Sequence, residues 1–193
     1  MSTTQPGADV DRAPDLVARQ FSATRPNQLW VADFTYVPTA DGTVYTAFVI
    51  DVFARRIVGW KVSHAMRTDL VLDALDQAIH QRCDDQTADL IHQSDRGVQY
   101  LSMRYTERLV DAGLEPSVGR RGDSYDNALA ESVIGLYKTE VIRRRDQWAA
   151  VEAVEYATLR WVEWFNHRRL LGPIGFVPPA EFEAQYHAQA AVA

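Results

Sequence analysis

From Leu29 onward, apolar and polar side chains alternate with the two-residue period of a half-buried strand. Three runs rich in Val, Ile, Tyr, Phe and Trp stand out: Leu29 to Val37, Thr43 to Val52 and Ile57 to Ser63. Asp41-Gly42 supplies a hairpin turn between the first two, and only Phe53 to Arg56 separates the second from the third, so the pattern predicts an antiparallel meander. The period then changes. Leu72, Leu75, Ala78 and Ile79 recur at helical spacing between Thr68 and Arg82, with Thr68 or Asp69 as the N-cap. A short strand from Leu90 to His92 follows, then a helix from Met103 to Ala112 stopped by Gly113, then a second short strand from Leu114 to Val118. Past the basic turn Gly119-Arg120-Arg121-Gly122, helical patterns run from about Ser124 to Arg145 and from about Ala149 to Asn166. A Gly- and Pro-rich stretch, Leu171 to Pro179, precedes a last short helix to about Tyr186. The order predicts an α/β fold: a five-stranded mixed sheet, three antiparallel strands and then two parallel ones, flanked by helices. Residues 1–25 mix Gly, Pro and charge without periodicity and read as a flexible arm, 26–170 as one core, and 171–193 as a loop, a short helix and a frayed tail.

Composition narrows the classes this fold can serve. With 47% hydrophobic residues in 193, the chain has ample material for a packed interior and is no disordered protein. Its 20 Lys and Arg against 26 Asp and Glu leave a formal charge of −6, which excludes a histone-like protein holding nucleic acid by bulk charge and confines any such contact to patches. One cysteine, Cys83, and five scattered histidines exclude a disulfide framework and a Cys/His zinc module, and fit a reducing cytoplasm. No apolar run approaches the ~20 residues of a membrane span, and Met1 to Ala18 has no apolar signal core, so the expectation is a cytoplasmic protein, neither exported nor membrane-embedded.

Three carboxylates stand out against that background. In Trp30-Val31-Ala32-Asp33-Phe34-Thr35-Tyr36, alternation puts Asp33 on one face with Val31, Thr35 and Val37. A carboxylate mid-strand among apolar neighbours must be protonated, hydrogen-bonded, paired or metal-bound; capping by Thr35 or pairing with Arg96 is the structural alternative. Asp95 lies just past the carboxyl end of the strand at Leu90 to His92, where open sheets place ligand-binding groups. If the crossover helix brings that strand parallel to the first, Asp33 and Asp95 face each other, and two ionised carboxylates so placed favour Mg²⁺ or Mn²⁺. Glu131 shares a helical face with Asn127, Gly135 and Lys138, beside an apolar stripe of Ala130, Val133, Ile134, Tyr137 and Val141. A solvated helix face is the alternative there.

The string Arg25-Pro26-Asn27-Gln28-Leu29-Trp30-Val31-Ala32-Asp33-Phe34-Thr35-Tyr36 resembles the opening of the integrase catalytic core in insertion-sequence transposases of the IS-three family, relatives of retroviral integrases. Further blocks resemble that family in order: Val49 to Phe53 with Arg55 to Trp60, His92 to Tyr100, and Gly122 to Ser132. Residues 96 to 130, 35 in all, separate Asp95 from Glu131, the spacing typical of the family's Asp-Asp-Glu triad. The resemblance implies an RNase H-like fold in which Asp33, Asp95 and Glu131 bind two Mg²⁺ (or Mn²⁺) ions. It implies a metal-dependent polynucleotidyl transferase that cleaves DNA 3′ ends and transfers strands in transposition and integration. Two metals ~3.5–4 Å apart activate the nucleophile and stabilise the leaving oxygen of an in-line displacement, and their +4 against three carboxylates leaves a centre that receives phosphate.

Other residues come second. Asn127 and Lys138 are candidates to orient DNA near the metals, and Arg120, Arg121 and Arg168, with Arg143 to Arg145, are candidates to track a phosphate backbone. Asp51 and Asp126 read as turn, capping or salt-bridge residues, and Trp161, Trp164 and Phe165 as a core stripe. The roughly 24 residues before Arg25 are too few and too polar for the helix-turn-helix segments that recognise element ends, so the expectation is that either a separate helix-turn-helix protein reads them or the chain is a truncated copy. Joining two element ends implies a homo-oligomer acting at the bacterial nucleoid. Two alternatives remain: a truncated, non-catalytic remnant acting by DNA binding or mixed assembly, and an RNase H-type nuclease.

Overall fold

Alternating β-branched and aromatic residues pair into the meander as expected: β1 (Leu29–Thr39), β2 (Gly42–Asp51) and β3 (Arg56–Ser63) run antiparallel, with Asp33 opposite Phe48 and Phe48 opposite Trp60. The computed structural model describes residues 22–65, 68–82, 89–94, 102–118 and 128–191. After α1 (Thr68–Arg82), β4 (Ile91–Ser94) returns parallel to β1; α2 (Ser102–Asp111) then leads to β5 (Glu115–Val118), parallel to β4. The strand order is β3-β2-β1-β4-β5, so β1 is central. Helices α3 (Ala128–Glu140), α4 (Val151–His167) and α5 (Pro179–Ala190) complete the fold.

Strand alternation sorts the interior into two cores. Trp30, Ala32, Ala47, Val49 and Val58 point to one face and meet Leu70, Val71, Ala74, Leu75 and Ala78 of α1 with Tyr105 and Leu109 of α2. Val31, Val37, Phe48, Ile50 and Ile57 point to the other and meet Val133, Ile134 and Tyr137 of α3 with Trp161, Val162 and Phe165 of α4. Phe48 packs edge-on against Tyr137 and Trp161, at 5.1 and 6.0 Å between ring centroids.

Several boundaries depart from the pattern, each for a physical reason. Strand β4 runs on through Gln93 and Ser94, polar residues that are nonetheless buried because both faces of the sheet are covered there. Helix α3 stops at Glu140, not at Arg145: a single 3-10 turn at Ile142–Arg144 redirects the chain so that Trp148 is buried, its indole N–H donating to the Ile142 carbonyl at 3.2 Å. Tertiary burial of one tryptophan thus overrides a continuous helical pattern. Trp161 and Phe165 are core, but Trp164 is 41% exposed and does not belong to the stripe. The segment before Leu29 is already tied down. Asn27 N–H donates to Asp51 Oδ2 at 2.8 Å and Phe53 N–H to Oδ1 at 2.9 Å, so Asp51 organises two turns, the role expected of it.

Helix α5 is held across the β3 and α1 ends by one buried acid. Glu183 accepts hydrogen bonds from both Arg82 and Arg56, while Phe53 packs on Phe182 and Tyr186 at 5.1 Å each. Burial pushes Glu183 up, but the two guanidiniums outweigh it and hold its carboxyl below the usual value. Glu183→Ala is therefore expected to strand Arg82 and to lower unfolding free energy by about 2–4 kcal/mol, read from urea denaturation at pH 7. A loss under about 0.5 kcal/mol would mean that α5 is held by its aromatic contacts alone.

Candidate active site

Asp33 sits in the middle of the central strand on the face covered by α3 and α4, since its neighbours in alternation, Val31 and Val37, and its cross-strand partner Phe48 all belong to that core. It is only partly buried, at the place where the apolar cover gives out, and its Oδ1 accepts the Phe34 backbone N–H at 2.8 Å. Two other oxygens share this face. Thr35 Oγ1 and Gln93 Oε1 are buried with no hydrogen-bond partner among the described residues, and Gln93 lies beside Val31 in the parallel register. An oxygen-lined break in an otherwise apolar face is a donor set suited to a hard cation.

Glu131 comes to the same side of the sheet on α3. Ala130, Val133, Ile134 and Tyr137 turn inward, which leaves Glu131 exposed one position from the packed stripe, as helical spacing requires. Gly135 is exposed beside it, and Lys138 is half-buried with its ammonium 5.7 Å from the Tyr36 ring on β1, three residues past Asp33. The helix is locked by Tyr137, whose hydroxyl shares a hydrogen bond with Thr158 of α4 at 2.7 Å and approaches Thr46 of β2 at 3.4 Å. Burial raises the pKa of Tyr137 above the ordinary phenol value against these two hydrogen bonds, so it stays a neutral structural anchor.

The fold thus brings Asp33 and Glu131 to one face. Asp95, Asn127, Arg120 and Arg121, like Asp126, Arg96 and Cys83, lie outside the described residues. Arg168 ends α4 beside Asn166, which is hydrogen-bonded to both the N–H and the carbonyl of Ile57 on β3, so it stands at the sheet edge two strands from β1. Among the described residues no three His, Cys, Asp or Glu side chains converge on one point.

Behind β4, on the α1 and α2 side, lies a pair that pattern reading missed. His92 is fully buried, and its Nε2 shares a 3.0 Å hydrogen bond with the Tyr105 hydroxyl of α2. The signal was present, since Leu90 and His92 share one strand face and Leu90 is apolar, which makes His92 an inward position. Burial holds its imidazole down at about 4. With the folded value below the ordinary 6.5, the neutral ring stabilises the fold in full above about pH 6.5, and that contribution, about 3 kcal/mol, is lost as pH falls from 6.5 toward 4. Denaturation midpoints measured from pH 7.5 to 4 should fall accordingly, and His92→Gln should flatten the curve; an unchanged slope in the variant would locate the acid sensitivity elsewhere.

A central strand with antiparallel neighbours on one side and parallel on the other, in a five-stranded sheet flanked by helices, is the topology of an RNase H-like fold. Among the solved structures it is similar to are two of viral origin. It matches a simian T-cell lymphotropic virus intasome chain with a TM-score of 0.68 at 14% identity, covering 84% of this chain and 56% of that one. It matches the HTLV-2 integrase catalytic core domain, solved with magnesium, with a TM-score of 0.62 at 14% identity, covering 83% and 98%. Residues 23–124 match one Integrase core domain family and 112–179 a second of the same description, and the chain belongs to the integrase core domain family. It is 56% identical over 181 residues to a putative transposase for insertion sequence element IS986/IS6110 of Mycobacterium tuberculosis, covering 92% of this chain and 65% of that protein. It is 58% identical over 176 residues to the transposase for IS629 of Shigella sonnei (91% and 58%), and 38% identical over 178 to that for IS904 of Lactococcus lactis (92% and 69%). The chain therefore spans 58–65% of the length of the first two relatives. Among the described residues no helix is long and apolar enough to cross a membrane.

Proposed function

We propose that this chain is the catalytic core of an insertion-sequence transposase, a polynucleotidyl transferase in which Asp33, Asp95 and Glu131 hold two divalent cations. The observation that carries the reading is the seating of α3 on the Asp33 face of β1, which puts Glu131 and Asp33 on the same side of the sheet. Register supports the third member. The parallel pairing of β1 and β4 ends at Ala32 and Ser94, so the next residue of each strand in sequence is an aspartate, and continued alternation would give Asp95 the face of Gln93. Hard carboxylate oxygens select Mg²⁺ or Mn²⁺ over softer metals. Bound there, the ions would supply Lewis-acid activation of the attacking oxygen and stabilisation of the leaving one.

The chain's own residues do the rest. Asp33, on the most enclosed strand, fixes one side of the site; Glu131, on a helix pinned by Tyr137, closes it from above, and the exposed Gly135 beside it lets a DNA backbone approach. Lys138 supplies a phosphate contact on the same helix, and Asn127, Arg120, Arg121 and Arg168 extend the track. The partners are the element's DNA ends and its target, met in the bacterial cytoplasm by a homo-oligomer. The test is incubation with Mn²⁺ or Mg²⁺ and a branched DNA mimicking a strand-transfer product. Metal-dependent cleavage and resealing is the expected result; hydrolysis without joining would reassign the chain to the RNase H-type nucleases, and absence of metal binding would sink the catalytic assignment.

A further inference from the structure

A groove of about 600 Å³ opens between the C-terminal end of α3, the turn that follows it and the outer face of α4. It lies away from the carboxylates: Glu140 at its rim is nine residues from Glu131, ~14 Å along α3. Tyr156, Arg160 and Trp164 stand at i, i+4 and i+8 on α4, forming a ring–cation–ring ridge about 12 Å long. Both rings are open to solvent, Tyr156 at 63% and Trp164 at 41%. Arg144 and Arg145 form the opposing wall over the buried Trp148, with the Arg145 guanidinium 4.7 Å from the Trp148 ring and that of Arg160 6.0 Å from Tyr156.

The charges in this groove are uncompensated. Among the described residues Arg144, Arg145 and Arg160 make no ion pair, whereas Arg56, Arg82, Arg108 and Arg169 all do. The one acid on the rim, Glu140, is consumed by Arg169 and by the Trp161 indole N–H at 2.9 Å. Three cations without an acidic partner therefore gather on a chain whose net charge is −6, beside two solvent-open rings that each have a guanidinium near one face, Arg160 at 6.0 Å from Tyr156 and Arg169 at 5.4 Å from Trp164. An acidic peptide would satisfy the arginines and leave the rings bare. Duplex DNA hides its base faces in its own stack. Single-stranded DNA offers both phosphates and open bases.

We propose that this groove binds a short stretch of single-stranded DNA, with bases against Tyr156 and Trp164 and phosphates on Arg144, Arg145 and Arg160. The proposal rests on the reading of the chain as a DNA-processing enzyme and adds to it a second site, which would hold an unpaired strand clear of the catalytic face.

The test is fluorescence anisotropy of the full chain with a labelled ten-nucleotide oligo-dT, without added metal. Arg160→Glu and Trp164→Ala, both at exposed positions, should each weaken binding about tenfold or more. Wild-type affinity should fall with salt at a log–log slope of about −2, as for three phosphate contacts, and less steeply in Arg160→Glu. Arg104→Glu on α2 should bind within about twofold of wild type, with melting temperatures confirming that all variants fold. Binding unchanged in both groove variants would overturn the proposal, as would equal competition by a duplex or by a poly-glutamate peptide. Because no cleavage is read, the two readings fail separately. Strand binding that depends on the groove in a chain that never joins DNA sinks the transferase and keeps the groove. Joining activity with groove variants that bind like wild type does the reverse.

Discussion

Glu131→Gln is expected to abolish metal-dependent cleavage and joining while leaving the fold untouched. The side chain is exposed on α3 and its neighbours do the packing, so its stability change should stay within about 0.5 kcal/mol. The amide keeps the shape and removes the charge. A divalent ion supplies several kcal/mol of transition-state stabilisation, and at about 1.4 kcal/mol per decade its loss reduces turnover by at least ~10³-fold. Asp33→Asn should match it. Titration calorimetry with Mg²⁺ or Mn²⁺ should show weakened binding in both variants, which separates loss of the ion from loss of DNA contact. Full activity in either variant would remove that residue from the site.

Gly59→Ala is expected to be the most disruptive single methyl in the described fold. A Cβ at this position on β3 would lie 2.1 Å from the Ala74 carbonyl oxygen, 2.9 Å from Ala78 Cβ and 3.0 Å from Ala78 N. These are helix backbone and a short side chain, so relief requires moving α1 bodily off the sheet. That lifts Leu70, Val71, Ala74, Leu75 and Ala78 from their core. Overpacking ordinarily costs about 1–3 kcal/mol and more where backbone must yield, so about 3–5 kcal/mol is expected here. In a chain of this size that lowers the melting temperature by about 10 °C, measured by circular dichroism. A shift below about 2 °C would mean that α1 can rise off β3 at little cost. Activity at 25 °C in any folded fraction should persist, because α1 covers the face opposite Asp33.

How much of this was legible depends on whether a residue's neighbours are close in sequence. The meander, α1 and the inward stripe of α3 follow from local periodicity alone, because each buries one face against a sheet whose side chains alternate. Asp33 stood out as a carboxylate breaking an apolar alternation, and Glu131 as the acid flanking a clean stripe. The rest is decided by contacts at long range. Gln93 and Ser94 look like loop residues until β1 and β5 enclose them. The end of α3 is set by where Trp148 must go, and Trp164 escapes the core because α4 presents only its Trp161 and Phe165 side inward. Glu183 had no visible role until α5 met Arg82 and Arg56, about a hundred or more positions earlier in the chain. The uncompensated arginines are likewise a property of what fails to pair in space, which no spacing rule records.

The placement of Asp33 on β1 has a consequence for how the molecule breathes. Among the described residues β1 is the one strand with antiparallel pairing on one flank and parallel pairing on the other, and over Leu29 to Ala32 both of its faces are buried. The amides of Leu29 to Ala32 are enclosed on every side, which ties their hydrogen exchange to the largest openings of the sheet, and Asp33 is the next residue along. Helix α3 stands above the sheet, its inner face packed and its outer face in solvent. One carboxylate is therefore anchored at the end of the most enclosed stretch of the sheet and the other rides on a helix in the layer above, so the relative position of Asp33 and Glu131 is set by how that layer packs on the sheet.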